Sequence, residues 1–172
     1  MSYIFAVPRK TTAATPAAAT KAAATTDWLA LDSQLCFALY AASLAMTKLY
    51  KSLLDPLGLT YPQYLVMLVL WQDNALMVGQ LGERLALDSG TLTPLLKRLE
   101  ASGIVLRLRD TTDERRVVIK LTAAGRALRT RAARVPAAVA LASGCELSEI
   151  TSLTARLQLL RLQLTESTPR AA

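Results

Sequence analysis

The stretch that decides the fold is LDSGTLTPLLKRLEASG, residues 87–103. Its pattern predicts a helix from about Ser89 to Ala101 that is closed by Gly103. One face of this helix is apolar, because leucines recur at helical spacing: Leu92, Leu95, Leu96 and Leu99. A shorter helix over 77–86 precedes it, and a turn at 87–88 connects the two helices. The pair therefore predicts a helix-turn-helix whose second helix has a polar, partly basic outer face.

Two strands are predicted directly after this helix pair. Apolar and charged residues alternate in IVLRLRD (104–110) and in RVVIKL (116–121), as in half-buried strands. This alternation predicts that the following side chains point inward: Ile104, Leu106, Leu108, Val117, Ile119 and Leu121. TTDER joins the strands into a hairpin wing with Arg109 and Arg115 at or near its tip, and Asp113 is placed to hold the Arg115 guanidinium by a charge-assisted hydrogen bond.

A wing beside a helix-turn-helix can reach duplex DNA in two ways, with helix side chains in the major groove and a wing arginine in the minor groove. The charge supports this interpretation, since eleven basic and four acidic residues between Lys97 and Arg134 account for the whole net charge of +7. Nucleic acid is the first candidate partner and an anionic membrane surface the second; a solvated surface without a partner stays an alternative. The predicted DNA-binding residues are Ser89, Gly90, Thr91, Thr93, Lys97, Arg98, Arg109, Asp113 and Arg115.

Helices are predicted on both sides of this unit. One runs from about 29 to 54 and ends before Pro56, with an apolar seam at the spacing of a helix that pairs with another helix. The sequence TYPQ from Thr60 predicts a capping box that starts a buried second helix. Residues 122–164 are helical again, with a kink or end at Pro136. Capping-box spacing from Ser143 to Glu146 would place Cys145 in the first turn of the last helix.

The predicted fold class is mainly α with a two-stranded β-wing, formed by a winged helix-turn-helix over 60–121 and dimerisation helices over 29–54 and 122–164. The Ala/Thr-rich residues 1–26 and the tail 166–172 are expected to be disordered, which leaves one domain over 27–165. We expect a cytoplasmic protein without a membrane partner, because no apolar run approaches the ~20 residues of a spanning helix and no secretory signal opens the chain.

The sequence disfavours conventional catalysis and predicts no cofactor or metal. It has no histidine, two cysteines and no glycine-rich phosphate loop. The first cysteine, Cys36, begins a polar stripe of hydroxyl-bearing residues on the first helix, where a thiol could do chemistry. A free cysteine more often packs as a small hydrophobe, which makes an inert Cys36 the first interpretation of that stretch alone.

The run from Leu31 to about Leu164 resembles the MarR-type winged-helix repressors, and within them the organic-hydroperoxide sensors of the OhrR group. The resemblance is carried by LDSQLCFALY, MTKLYKSLLDPLGLTYPQYL, LDSGTLTPLLKRLEASG, DERRVVIKLTAAG and ASGCEL, and it covers about three quarters of the chain. It departs at Met77, where family members often have Ser or Thr before the first helix of the helix-turn-helix; loss of such a cap costs about 1 kcal/mol of helix stability.

The resemblance implies that Cys36 is a peroxide-sensing thiol, that Tyr50 and Tyr61, with Tyr40 nearby, stabilise its thiolate, and that Cys145 is a resolving cysteine. Fourteen helical residues put Tyr50 about 21 Å along the axis from Cys36, so these two residues cannot touch within one straight helix. The resemblance implies that a Tyr50 in contact with the thiol comes from the other subunit of a homodimer. The implied sequence is oxidation of Cys36 by an organic hydroperoxide, an intersubunit disulfide with Cys145, release of a pseudo-palindromic operator in double-stranded DNA, and reset by a thiol reductant.

Two alternatives remain open from the sequence. The first is a thiol peroxidase that uses the same cysteine pair catalytically, although it leaves the basic segment unexplained. The second is a MarR-type regulator that is released from DNA by an aromatic small-molecule ligand, with both cysteines structural.

Overall fold

A computed structural model describes residues 27–109 and 116–167. Within these ranges the order of elements is α1 (Leu35–Leu54), α2 (Tyr61–Gln72), β1 (Ala75–Met77), α3 (Val78–Leu85), α4 (Ser89–Ala101), β2 (Val105–Arg109), β3 (Val117–Leu121), α5 (Ala123–Ala132), α6 (Val135–Ser143) and α7 (Leu147–Ser167). Asp113, Arg115 and the expected disordered segment 1–26 lie outside the described residues, as does the tail from residue 168. Residues 166 and 167, assigned to the tail from the sequence, belong to α7.

The first helix begins later than expected. A 3-10 turn, Leu31–Ser33, precedes α1, so the α-helix starts at Leu35 and not near residue 29. Contacts divide the chain into a short unit up to Leu39 and a larger unit from Tyr40 onward. No single helix in the described parts of the chain is long and apolar enough to cross a bilayer; the segments Leu35–Leu57 and Tyr61–Gln72 meet that requirement only when joined across a 66° bend.

The capping box predicted for α2 is present. The backbone N–H of Thr60 and its hydroxyl both donate to the Oε1 atom of Gln63, at 2.8 and 3.1 Å, so the polar groups at the helix start are satisfied locally. The helix is buried on most sides, with Tyr64, Met67 and Leu70 no more than 2% exposed. It forms the centre of the core of the larger unit.

The helix-turn-helix has the predicted bounds for its second helix. In α4 all four leucines of the apolar face are buried: Leu92, Leu95, Leu96 and Leu99. The missing hydroxyl cap of α3 is partly replaced, because Gln80 reaches back and its Oε1 accepts the N–H of Met77 at 2.9 Å. That contact is the Gln half of a capping box.

The predicted fold class is confirmed, with one strand added. β2 and β3 form the expected antiparallel hairpin, and the short strand β1 pairs with the other edge of β3 to give the order β1-β3-β2. The predicted inward face is right for β3, where Ile119 and Leu121 are buried, and wrong for β2. There Val105 is 1% exposed whereas Leu106 and Leu108 are each 46% exposed.

The pairing of β2 with β3 explains the reversed face. Val105 lies opposite Leu121 and Arg107 opposite Ile119, so these two β2 residues share the core face with buried partners. Because both faces of β2 contain apolar residues, its alternation alone could not select the buried one.

The segment 122–164, predicted as helical with a break at Pro136, consists of three helices. α5 ends at Ala132, and α6 begins at Val135 with Pro136 in its first turn, a position that tolerates the missing N–H. The capping box predicted from Ser143 is wrong. α7 begins only at Leu147, where Glu149 accepts the N–H of Glu146 at 2.9 Å, so Cys145 precedes the helix and is not in its first turn.

Candidate DNA-binding surface and tyrosine cluster

The outer face of α4 presents the predicted contact residues at its start and along its length. Ser89, Gly90, Thr91, Lys97 and Arg98 are exposed, and Thr93 is half-buried with its hydroxyl donating to the carbonyl of Ser89 at 2.7 Å. Lysine and arginine on an exposed helix face supply both phosphate contacts and donors for base edges in the major groove.

The start of α4 is held by Asp88. Its carboxylate accepts the backbone N–H of Thr91 at 2.8 Å and the Thr91 hydroxyl at 3.0 Å. These hydrogen bonds lower the pKa of Asp88 below its ordinary value of 3.8, because they stabilise the ionised form. The Thr91 hydroxyl therefore serves the helix cap in this structure.

A cleft of about 580 Å³ lies between the helix-turn-helix and the wing. Its lining includes Gln80, Glu83, Thr93 and Arg107. The alternation in 104–110 predicts that Arg107 faces outward, opposite to Leu106 and Leu108. In the structure its guanidinium approaches Glu100 at 3.6 Å, and its Nε atom is buried without a hydrogen-bond partner among the described residues. The sequence signal for this placement is absent, because the pattern of β2 fits either face. Arg109, at the end of β2, is exposed as expected.

A cluster of aromatic rings joins the C-terminal part of α1 to α2. The ring centroids of Tyr50 and Tyr61 are 4.5 Å apart, and those of Tyr50 and Tyr64 are 6.0 Å apart. Trp71 packs edge-on against Tyr64 at 6.2 Å. The structure thus brings together the two tyrosines singled out from the sequence and adds Tyr64, which the sequence analysis missed, and Trp71.

Burial raises the pKa of two tyrosines in this cluster, Tyr50 and Tyr64. Desolvation raises the pKa of Tyr50, and the neighbouring rings of Tyr61 and Tyr64 raise it further. Desolvation, followed by the effect of Tyr61, likewise raises the pKa of Tyr64. Both phenols are therefore neutral O–H donors at physiological pH. Tyr40, also singled out from the sequence, is 61% exposed on α1.

Both cysteines are free thiols with exposed side chains. Cys36 lies at the start of α1 and is exposed in the chain, so the interpretation of a buried thiol is wrong. Cys145 lies in the connection between α6 and α7, where its thiol is 3.6 Å from the carbonyl oxygen of Ser143. Within the two described ranges, no group of three or more Cys, Asp or Glu residues could hold a metal ion.

The chain is similar to known transcriptional regulators. Residues 48–131 match the family model described as transcriptional regulator SarA/Rot. The HTH-type transcriptional regulator TtmR of Methylorubrum extorquens is 54% identical over 80% of this chain and 71% of its own length. The organic hydroperoxide resistance transcriptional regulator of Bacillus subtilis is 52% identical over 66% of this chain and 77% of its own length.

Solved structures point the same way. Reduced AbfR bound to DNA has a TM-score of 0.67 and 36% identity, over 78% of this chain and 94% of that one; AbfR is a protein of Staphylococcus epidermidis. A disulfide-formed AbfR has a TM-score of 0.55 and 36% identity, over 79% of this chain and 90% of that one.

The winged helix-turn-helix and these relatives define a DNA-binding transcriptional regulator, not an enzyme. The thiol-peroxidase alternative does not fit this class. Specifically, the chain belongs to the MarR-type winged-helix regulators, in the OhrR group represented by the Bacillus protein.

Proposed function

We propose that this protein is a homodimeric repressor that senses organic hydroperoxides through Cys36 and releases DNA on oxidation. The observation that carries the proposal is the contact between the rings of Tyr50 and Tyr61, whose centroids are 4.5 Å apart, together with the burial that raises the pKa of the Tyr50 phenol. Neutral phenols can donate O–H hydrogen bonds to a thiolate without placing a second negative charge beside it. The name of the Bacillus relative supports organic hydroperoxide as the signal.

The proposed chemistry begins at an accessible thiol. The Cys36 thiolate attacks the terminal oxygen of the hydroperoxide, the O–O bond breaks, and the alkoxide leaves and takes a proton as the alcohol. Sulfur is oxidised to the sulfenic acid and the peroxide is reduced. The exposed Cys145 thiol of the partner subunit then condenses with the sulfenic acid, which forms the disulfide and releases water. A thiol reductant returns both cysteines to thiols.

Dimer formation is supported by helices that leave large apolar side chains without partners in the described chain. α7 runs for 21 residues, none of which is buried, and its Leu153 and Leu157 are 57% and 39% exposed. In α1, Leu44 and Met46 are 47% and 40% exposed. Apolar faces of this length on a regulator are typical of helices that pair across a two-fold axis.

In the proposed dimer, residues of both subunits form each peroxide-sensing site. A tyrosine pair in one subunit would face the Cys36 thiol of the other, so oxidation would change the packing between subunits. The two α4 helices must be about one DNA turn, ~34 Å, apart to enter successive major grooves of a pseudo-palindromic operator. A change at the dimer interface alters that separation and weakens binding. We infer a cytoplasmic location for a regulator that binds DNA in this way.

The deciding experiment measures DNA affinity of the reduced protein before and after cumene hydroperoxide. Wild-type protein should lose affinity on oxidation and recover it with dithiothreitol, whereas Cys36→Ser should keep its affinity. Cys145→Ser should still form a sulfenic acid at Cys36 but no dimer-linking disulfide on a non-reducing gel. Release of Cys36→Ser from DNA by the hydroperoxide would refute the sensor assignment; release by an aromatic ligand instead would favour a ligand-controlled regulator.

The tyrosines can be tested separately from the cysteines. Tyr50→Phe keeps the ring contact with Tyr61 but removes one O–H donor, so Cys36 should oxidise more slowly at equal peroxide concentration while reduced DNA affinity is retained. Tyr40→Phe, at an exposed position of α1, tests whether the nearby tyrosine also contributes. Equal oxidation rates for wild type and Tyr50→Phe would remove the phenol from the mechanism.

A further inference from the structure

Trp71 contacts both the tyrosine cluster and the start of α5. Its ring packs edge-on against Tyr64, and its indole Nε1–H donates to the backbone carbonyl of Gly125 in α5 at 2.9 Å. The two residues are 54 positions apart in the chain. Trp71 is near the C-terminal end of α2, whereas Tyr61 opens the same helix, so one rigid, largely buried helix connects the tyrosine pair to this hydrogen bond.

Gly125 lies where α5 meets the base of the wing. A Cβ atom at this position would be 2.0 Å from the carbonyl oxygen of Ile104, the residue before β2. Thr122 closes the same junction, because its hydroxyl donates to the carbonyl of Gly103 at 2.8 Å and its N–H donates to that of Ile104 at 3.2 Å. Gly103 and Ile104 form the turn between α4 and the wing. The carbonyl that accepts the Trp71 hydrogen bond therefore belongs to a residue packed against the turn that connects α4 to the wing.

Space beside this contact permits movement. A cavity of about 200 Å³ is lined by Tyr64, Trp71 and Arg129, together with Ala132 and Pro136. The rings of Tyr64 and Trp71 can shift into this volume without displacing other side chains. A change in the position of the Tyr50–Tyr61 pair can therefore move these neighbouring rings as well.

We propose that Trp71 is a positioning residue that transmits the state of the Tyr50–Tyr61 pair to the DNA-binding elements through its hydrogen bond to Gly125. The inference rests on the proposed function, because it requires that oxidation at Cys36 disturb the tyrosine pair. A displacement of the tyrosine pair would move α2 and with it Trp71. The hydrogen bond from Trp71 to Gly125 would then shift the turn that connects α4 to the wing. Coupling of this kind is defined by its effect on affinity, not by proximity.

The test uses Trp71→Phe, which keeps an aromatic ring in the cluster but lacks the N–H donor. Trp28→Phe is the matched control, since Trp28 is the chain's other tryptophan and is 73% exposed. Reduced Trp71→Phe should bind DNA within about threefold of wild type, and its Cys36 should oxidise at the wild-type rate. The ratio of oxidised to reduced Kd should fall about fivefold, the scale of one neutral hydrogen bond. A purely structural role would lower stability and leave this ratio unchanged.

A ratio equal to that of wild type in Trp71→Phe would overturn the inference while leaving the sensor proposal intact. Release of Cys36→Ser by hydroperoxide would instead refute the sensor proposal itself, so the two failures are distinguishable.

A second measurement covers the case in which Trp71→Phe does not fold. In the Trp28→Phe protein, Trp71 is the sole tryptophan, so its fluorescence reports on this contact alone. Emission should change on oxidation by hydroperoxide in step with DNA release, and should not change when Cys36→Ser is added to the same background. DNA release without any change in Trp71 emission would overturn the inference.

Discussion

Replacing Gly125 with alanine should destabilise the protein by roughly 2 kcal/mol or more. In a helix interior this substitution ordinarily gains up to about 1 kcal/mol, because alanine loses less backbone entropy. At Gly125 the new Cβ would be 2.0 Å from the oxygen of Ile104 and 3.2 Å from a methyl group of Leu121. Backbone must move to relieve the first contact, and overpacking of this kind costs about 1–3 kcal/mol.

The shift also disturbs two hydrogen bonds of Gly125. Its N–H donates to the capping hydroxyl of Thr122 at 3.0 Å, and its carbonyl accepts from Trp71. Each such bond contributes on the order of 1 kcal/mol, so their weakening exceeds the propensity gain.

Gly79→Ala is the matched control, because Gly79 is also helical and nothing lies within 4 Å of its new Cβ. At equal protein concentration, thermal unfolding should give a lower Tm than wild type for Gly125→Ala, by on the order of 6 °C. The Tm of Gly79→Ala should be equal or higher. An increase of Tm for Gly125→Ala similar to that for Gly79→Ala would refute the packing argument.

Three further predictions test other parts of the structure. Val105→Ala should cost about 1.5–3 kcal/mol of unfolding free energy and Leu106→Ala less than about 1, in urea titrations, because the valine is the buried one although the leucine is larger. The depressed pKa of Asp88 adds stability above pH 3.8, and this stability is lost as the pH falls through the folded-state pKa. The Tm of wild type should therefore exceed that of Asp88→Asn by less below pH 3.8 than above it. A Tm difference that is independent of pH would show that the ionised carboxylate does not cause it. Lys97→Ala should reduce the slope of log K against log salt for DNA binding by about 0.9 if its ammonium contacts one phosphate, and an unchanged slope would exclude that contact.

Local signals in the sequence were sufficient for the helices that carry the DNA-binding surface. The four-leucine face and bounds of α4 were predicted because helical periodicity and capping act within about four residues. The capping box at Thr60 was predicted for the same reason. The resemblance to the MarR-type regulators, which the relatives confirm, likewise rested on contiguous motifs.

The sequence by itself thus determined the helix-turn-helix, the wing hairpin and the family. Tertiary structure decided what depends on pairing between distant segments: the strand β1, the buried face of β2, and the placement of Arg107 against Glu100. It also decided the contact from Trp71 to Gly125, which joins residues 54 positions apart. Patterns with a period of 2 in strands and 3.6 in helices describe where apolar residues lie on an element, but they contain no information on which distant element covers them.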